Sequence, residues 1–150
     1  TGTEIKMHLP ALIPDDYLPN ISTRLVLYKR IAQAQDKEAL NDIQVEMIDR
    51  FGLLPDATKQ LFIQAEVRLR AQALGISEVD VGVAGGSVKF ESTTPVPVNA
   101  LIDLLQSNPK EFKLAGSDTL RFIRELESGE ARRNYIDRLM TQWEEACKSS

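Results

Sequence analysis

The sequence predicts an α+β fold in which an N-terminal helical subdomain of about three helices is packed with a small antiparallel sheet and a long C-terminal helix. Apolar residues recur at helical spacing three times before residue 76. The second half has two stretches of alternating apolar and polar residues, each with glycine near its middle, which is typical of hairpins. Because 150 residues is an ordinary length for one domain, we expect a single domain with a lead-in (1–19), a helical part (20–75) and a sheet part (76–150).

The first elements follow from short local signals. Residues 5–14, IKMHLPALIP, alternate in polarity and predict a strand that Pro10 and Pro14 end. Residues 19–35 predict a helix capped at Asn20 or Ser22. Its expected apolar side consists of Ile21, Leu25, Tyr28 and Ala32. A third helix is expected from near Pro55 to Gly75.

The second helix lies within residues 39–57, ALNDIQVEMIDRFGLLPDA, and carries an acidic stripe opposite its apolar side. Asp36 is a suitable N-cap and Gly52 a suitable stop. On a helical wheel Asp42, Glu46 and Asp49 fall within about 60° of one another. The stripe is slightly unfavourable for the helix itself, because Asp42 and Glu46 are like charges four residues apart. Two interpretations remain open: a solvated outer face, or a docking surface for a basic partner.

The second half predicts strands and helices in the order ββαββα. Residues 78–92 predict a hairpin that turns at Gly85 and Gly86. Residues 97–109 predict a short helix, and residues 112–123 predict a second hairpin. A final helix is expected from Ser128 to Cys147, with one side formed by Tyr135, Ile136, Leu139, Trp143 and Ala146.

Charge and composition argue against several classes of function. Lys and Arg number 18 against 22 Asp and Glu, which disfavours autonomous binding of nucleic acid and leaves Arg132 and Arg133 as local candidates for phosphate contact. The sequence has no run of 18 apolar residues and no signal-peptide pattern, so we expect no membrane association. The single cysteine, Cys147, fits a reducing compartment, and a cytoplasmic location is expected.

Catalytic and metal-binding patterns are also missing from the sequence. His8 is the only histidine and is far from Cys147, so no His or Cys metal site is predicted. The stretch VGVAGGS has glycines but no following Gly-Lys-Ser/Thr, so it does not predict a phosphate loop. We therefore expect no catalytic residues, no cofactor and no metal, and interpret the chain as one that acts by being bound.

Two stretches resemble the C-terminal domain of the bacterial transcription-repair coupling factor (TRCF) family. They are LIPDDYLPNISTRLVLYKRIA (12–32) and IDRFGLLPDATKQLF (48–62). The matching motifs are Ile13-Pro14-Asp15, Arg24-Leu25 with Tyr28-Lys29-Arg30, and Asp49-Arg50-Phe51-Gly52 with Pro55. Leu53-Leu54 departs from the commoner Gly-Pro-Leu-Pro-like segment, which affects the turn. The resemblance extends over essentially the whole chain.

The resemblance implies a regulatory domain of a larger ATP-dependent DNA translocase, with no enzyme activity of its own. Such a domain docks on the UvrB-like N-terminal module of the same polypeptide and masks the surface that binds UvrA. Its links to UvrA and RNA polymerase are then indirect, and no direct contact with nucleic acid is expected. The bacterial origin of the family agrees with a cytoplasmic location.

Together, the family and the helical wheel lead to a hypothesis about the docking residues. Glu46 and Asp49, with Asp42 as a weaker third, are predicted to contact basic residues of the UvrB-like module. Asp49 ranks below Glu46 because it has a competing local partner in Arg50. Arg24, Tyr28 and Arg30 are interpreted mainly as packing and helix–helix contacts. The alternative function is an auxiliary domain that contacts DNA or RNA polymerase, which requires a basic surface.

Overall fold

Helices and strands account for most of the computed structural model, which describes residues 2–149. Along the chain the elements are β1 (Glu4–Lys6), α1 (Ile21–Gln33), α2 (Lys37–Phe51), α3 (Asp56–Ala73), β2 (Ile76–Gly82), β3 (Gly85–Phe90), α4 (Val98–Ser107), β4 (Phe112–Ala115), β5 (Thr119–Ile123) and α5 (Gly129–Ser149). They confirm the predicted α+β class. Two compact units are present: residues 9–69 form the helical unit, and residues 2–8 with 70–149 form the sheet unit.

Side-chain caps fix the ends of α1 and α2 as the sequence predicts. The Asn20 side chain accepts a hydrogen bond from the Thr23 N–H at 2.9 Å, and the Asp36 carboxylate accepts one from the Ala39 N–H at 2.8 Å. Gly52 ends α2 with φ 96°, a conformation that glycine adopts without strain. Each cap satisfies a backbone group that the helix itself leaves unpaired.

The buried side of α1 differs from the predicted one. Leu27 and Ile31 are buried, whereas the expected core residues Ile21 and Leu25 are 65% and 59% exposed. Apolar residues occupy much of the circumference of α1, so helical spacing alone does not identify its buried side. Tyr28 points toward the preceding segment, where its hydroxyl accepts a hydrogen bond from the Ile13 N–H at 2.7 Å. That contact, with the burial of Leu27 and Ile31, determines the orientation of α1.

The sheet has the strand order β1-β2-β3-β5-β4. The antiparallel pairs are β2 with β3, β3 with β5, and β4 with β5. Since α4 lies between β3 and β4 along the chain and α5 follows β5, the predicted ββαββα order is confirmed. The lead-in strand differs from its prediction because it is three residues long and lies parallel to β2, with Ile5 opposite Val79. The chain turns at His8, whose φ of 57° interrupts the extended conformation before Pro10 is reached.

One face of the sheet packs against α5. The buried residues of α5 include Tyr135, Ile136, Leu139 and Trp143, as predicted. Trp143 meets Phe90 edge-on at a ring distance of 5.2 Å, and Tyr135 lies 5.0 Å from Phe122. The alternate strand positions carry polar side chains on the opposite face.

Arg132, one of the two local candidates for phosphate contact, is not available for such a contact. Its side chain is only 4% exposed. Its guanidinium donates hydrogen bonds to the carbonyl oxygens of Leu126 at 2.9 Å, Met7 at 3.0 Å and Glu127 at 3.3 Å. Arg132 therefore holds the start of α5 to two chain segments, while Arg133 remains exposed.

Candidate docking surface on α2

The outer side of α2 combines acidic and aliphatic side chains. We call Asp42, Val45, Glu46, Ile48 and Asp49 the α2 surface. Asp42 and Asp49 are exposed, and the side chain of Glu46 is 37% exposed. Val45 is 58% exposed and lies within about 60° of both aspartates on the helical wheel. Beside it, Ile48 is 39% exposed. The surface thus has an apolar strip bordered by carboxylates.

Burial of the opposite side holds α2 in this orientation. Leu40, Ile43 and Met47 are all at most 4% exposed. Tyr17 secures the C-terminal end of the helix, because its hydroxyl donates a hydrogen bond to the Gly52 carbonyl at 2.8 Å and its ring contacts Phe51 edge-on. The α2 surface therefore rests on a well-packed helix with a defined end.

Glu46 is held by two arginines of the same unit. Arg30 donates two hydrogen bonds to its carboxylate, from Nη1 to Oε2 at 2.8 Å and from Nη2 to Oε1 at 3.0 Å. Arg50 adds a third from Nη1 to Oε2 at 3.3 Å. The planar guanidinium of Arg30 fits the carboxylate in the bidentate geometry. Arg30 thus joins α1 to α2, in agreement with its expected helix–helix role.

The local pair expected between Asp49 and Arg50 is absent among residues 2–149. Arg50 pairs with Glu46, four residues earlier, because neighbouring helix residues such as Asp49 and Arg50 do not face each other. The Arg50 guanidinium also lies 4.7 Å from the centre of the Phe51 ring. Among residues 2–149, the Asp42 and Asp49 carboxylates have no hydrogen bond or ion pair, so they present the uncompensated charge of the α2 surface.

The ion pair with Arg30 lowers the pKa of the Glu46 carboxyl, chiefly through the hydrogen bond from Arg30, with a smaller contribution from Arg50. The folded pKa therefore lies below the ordinary value of 4.5. Ionised Glu46 stabilises the fold at pH above that ordinary value, and this stabilisation is lost as the pH falls through the lowered folded pKa.

Substitution of Arg30 by alanine is expected to raise the pKa of Glu46 toward its ordinary value, because the largest cause of its depression is removed. Carboxyl-carbon NMR titration of the folded chain measures this change. Arg50→Ala is the matched control and is expected to give a smaller rise. An unchanged Glu46 pKa in Arg30→Ala would contradict the pairing.

Sequence reasoning missed the aliphatic half of this surface. The wheel that grouped the three acids also places Val45 between Asp42 and Ile48, so the signal was present in the sequence. By contrast, Glu46 and Arg30 are 16 positions apart in the sequence, and no local sequence pattern predicts their ion pair.

A concave region of about 620 Å³ lies beside α5 in the sheet unit. Its most perturbed group is Tyr135, whose hydroxyl donates a 2.6 Å hydrogen bond to the Glu111 carboxylate. Burial raises the pKa of the Tyr135 phenol, so the proton stays on Tyr135 at neutral pH. The Tyr135 phenol therefore stays protonated and donates a hydrogen bond that joins α5 to Glu111.

Residues 2–149 contain neither a metal-binding cluster nor a membrane-spanning helix. No cluster of three or more His, Cys, Asp or Glu side chains is arranged to hold a metal ion in that part of the chain. Within residues 2–149, none of the helices combines the length and apolarity needed to cross a membrane.

Comparisons with known proteins place this arrangement in a family. The TRCF domain model matches residues 7–101. The transcription-repair-coupling factor of Escherichia coli (strain K12) is 41% identical over 143 residues, covering 95% of this chain and 12% of that protein. The Haemophilus influenzae factor is 39% identical over 133 residues, covering 89% of this chain and 12% of that protein.

A solved structure has the same fold. The crystal structure of the C-terminal domain of transcription-repair coupling factor matches with a TM-score of 0.80, covering 99% of this chain and 96% of that one at 20% identity. The present chain spans 12% of the length of the two curated relatives. With 95 of its 150 residues matched by the family model, the chain belongs to the TRCF domain family.

Proposed function

We propose that this chain is a non-catalytic, autoinhibitory interaction domain that docks through its α2 surface on the UvrB-like module of the same polypeptide. Docking masks the UvrA-binding surface of that module and so controls recruitment of nucleotide excision repair to stalled RNA polymerase. The observation that supports this proposal is the pair of exposed, unpaired carboxylates of Asp42 and Asp49 around exposed Val45, as described for residues 2–149.

The chemistry of the α2 surface favours a partner with arginine side chains around an apolar spot. Carboxylates without a partner in their own unit can accept charge-assisted hydrogen bonds, which contribute about 1.5–3 kcal/mol each before desolvation is counted. Val45 and Ile48 supply apolar area beside these carboxylates. Glu46 is already bound by Arg30 and Arg50, so its role is to shape the edge of the surface and to accept a further donor only as a weaker contact.

A modest interface is sufficient for a clamp of this kind. A covalent tether that supplies an effective concentration of ~1 mM closes an interface with an intrinsic Kd of about 10 μM roughly 100:1. The corresponding stabilisation is about 2.7 kcal/mol. An interface of this strength keeps the domain docked until a competing interaction contributes a few kcal/mol.

ATP-dependent DNA translocation belongs to motor domains outside this chain, and the connections to UvrA and RNA polymerase are indirect. The domain needs no cofactor or metal for docking and works in the bacterial cytoplasm. The alternative function, a domain that contacts DNA or RNA polymerase to assist the translocase, relies instead on a basic surface, which would lie outside α2.

Charge reversal at the two unpaired aspartates is expected to weaken docking about 100-fold or more, because two attractive contacts become repulsive and their partners stay charged. The measurement is calorimetric titration of this chain, as wild type and as Asp42→Arg/Asp49→Arg, into the separately purified UvrB-like module at low and moderate salt. Binding of the wild type should weaken with salt.

The matched control reverses two exposed acids elsewhere, Glu91→Arg/Asp103→Arg, and should bind as the wild type does. Glu46→Arg/Asp49→Arg tests the sequence-based assignment, but part of its effect would come from loss of the link to Arg30. Equal affinities for wild type and the Asp42/Asp49 reversal, with both chains folded, would remove the α2 surface from the docking interface.

A further inference from the structure

Three cationic side chains stand together on the face of the sheet opposite α5. Arg121 on β5 is directly opposite Lys113 on β4 and directly opposite Ser87 on β3. Lys89 follows Ser87 by two residues, so it faces the same side as Arg121. All three cations are exposed. We call Lys89, Lys113 and Arg121 the basic sheet face.

The basic sheet face carries charge that its own unit does not neutralise. Like charges directly opposite each other destabilise a strand pair, and Arg121 and Lys113 are such a pair. Across residues 2–149, no carboxylate lies within ion-pair distance of any of the three cations. The acids of β2 on the same face are Glu78, opposite Lys89, and Asp80, opposite Ser87, and they pair instead with Lys6 at 3.5 Å and with His8 at 2.7 Å. Repulsion between these unpaired cations therefore lowers the stability of the sheet when no anionic partner is bound.

The surroundings of these cations distinguish between two kinds of anionic partner. Along β3, β4 and β5 this face presents small, aliphatic and polar neighbours, including Ser87, Ala115 and Ile123. Single-stranded nucleic acid is usually held by aromatic stacking as well as by charge, and these strands place no aromatic side chain on this face.

An extended acidic protein segment does not depend on aromatic stacking, so it suits this face better than single-stranded nucleic acid does. Alternate residues of such a segment project on one side at intervals of about 6.8 Å, and neighbouring strands of a sheet are about 4.8 Å apart. Carboxylates at alternate positions can therefore reach cations on adjacent strands. We propose that the basic sheet face of Lys89, Lys113 and Arg121 binds an acidic, extended segment of another protein. This interaction is independent of docking through α2.

The test uses fluorescence anisotropy with labelled poly-L-glutamate as the probe and a labelled 20-nucleotide single-stranded DNA as the comparison. The wild-type chain should bind poly-L-glutamate at 50 mM salt and more tightly than the DNA. Since about three ion contacts are involved, its affinity should fall about 20- to 40-fold between 50 and 200 mM salt. Lys113→Glu/Arg121→Glu should weaken binding at least tenfold.

Lys29→Glu/Lys59→Glu is the control, because it changes net charge by the same amount at exposed positions on α1 and α3 and should retain binding. Circular dichroism checks that each variant is folded, and Lys113→Gln/Arg121→Gln replaces the reversal if that variant unfolds. Absence of poly-L-glutamate binding at 50 mM salt, binding that the reversal leaves unchanged, or tighter binding of the DNA would each overturn the proposal.

Discussion

Replacement of Arg132 by alanine is expected to lower the free energy of unfolding by about 3 kcal/mol or more. The side chain is buried, and its guanidinium satisfies the carbonyl oxygens of Leu126, Met7 and Glu127. Alanine supplies no donor, and each buried carbonyl that loses its donor without reaching water costs about 1–3 kcal/mol. Urea unfolding monitored by circular dichroism measures the change.

Arg133→Ala is the natural control for this prediction, because the neighbouring arginine is exposed and should change stability by less than about 0.5 kcal/mol. Arg132→Lys keeps the charge but not the planar arrangement of donors, so an intermediate loss is expected. If Arg132→Ala and Arg133→Ala were equally stable, Arg132 would have no structural role of the kind inferred here.

Gly86→Ala is expected to destabilise the chain by about 3 kcal/mol, at the upper end of the usual range for overpacking. Gly86 lies in β3 between two neighbours, opposite Val81 on β2 and Phe122 on β5. A Cβ at this position would overlap the carbonyl oxygen of Asp80 and would lie 3.0 Å from the Val81 Cα. Backbone atoms cannot rotate away as a flexible side chain can, so the pairing of β2 with β3 must shift.

Gly116→Ala separates this clash from the ordinary conformational preference of glycine. Gly116 has φ 70° at the β4–β5 turn, and a Cβ there meets no described atom within 4 Å. Its substitution should cost only the left-handed backbone penalty, about 1–2 kcal/mol. Thermal unfolding of both variants provides the comparison, and a Gly86→Ala chain no less stable than Gly116→Ala would refute the steric explanation.

The predictions from sequence were most accurate where a few neighbouring residues decide the outcome. Asn20 and Asp36 cap helices with their own side chains, and Gly52 ends α2, as expected. The two hairpins and the intervening α4 also occur in the predicted order. Hydrogen bonds that span three or four residues, and alternation along a strand, are visible in a linear sequence.

The predictions were less accurate where a residue has several possible partners. The apolar residues of α1 occupy much of its circumference, so the choice of Leu27 and Ile31 over Ile21 and Leu25 depends on what packs against the helix. The short β1 strand is parallel to a strand about 70 residues later, and its own residues carry no signal for that pairing. The docking role of Asp42, Glu46 and Asp49 stays a prediction.

By itself, the sequence determined the α+β class, the helix caps, the ββαββα order, the acidic stripe of α2 and the resemblance to the TRCF family. Only the tertiary structure decided that Glu46 is bound by Arg30, that Arg132 is buried, and that Lys89, Lys113 and Arg121 share an exposed face. The physical reason is the range of the interactions. Caps, turns and periodicity are settled within a few residues, whereas burial and charge pairing depend on side chains that folding brings together from distant parts of the chain.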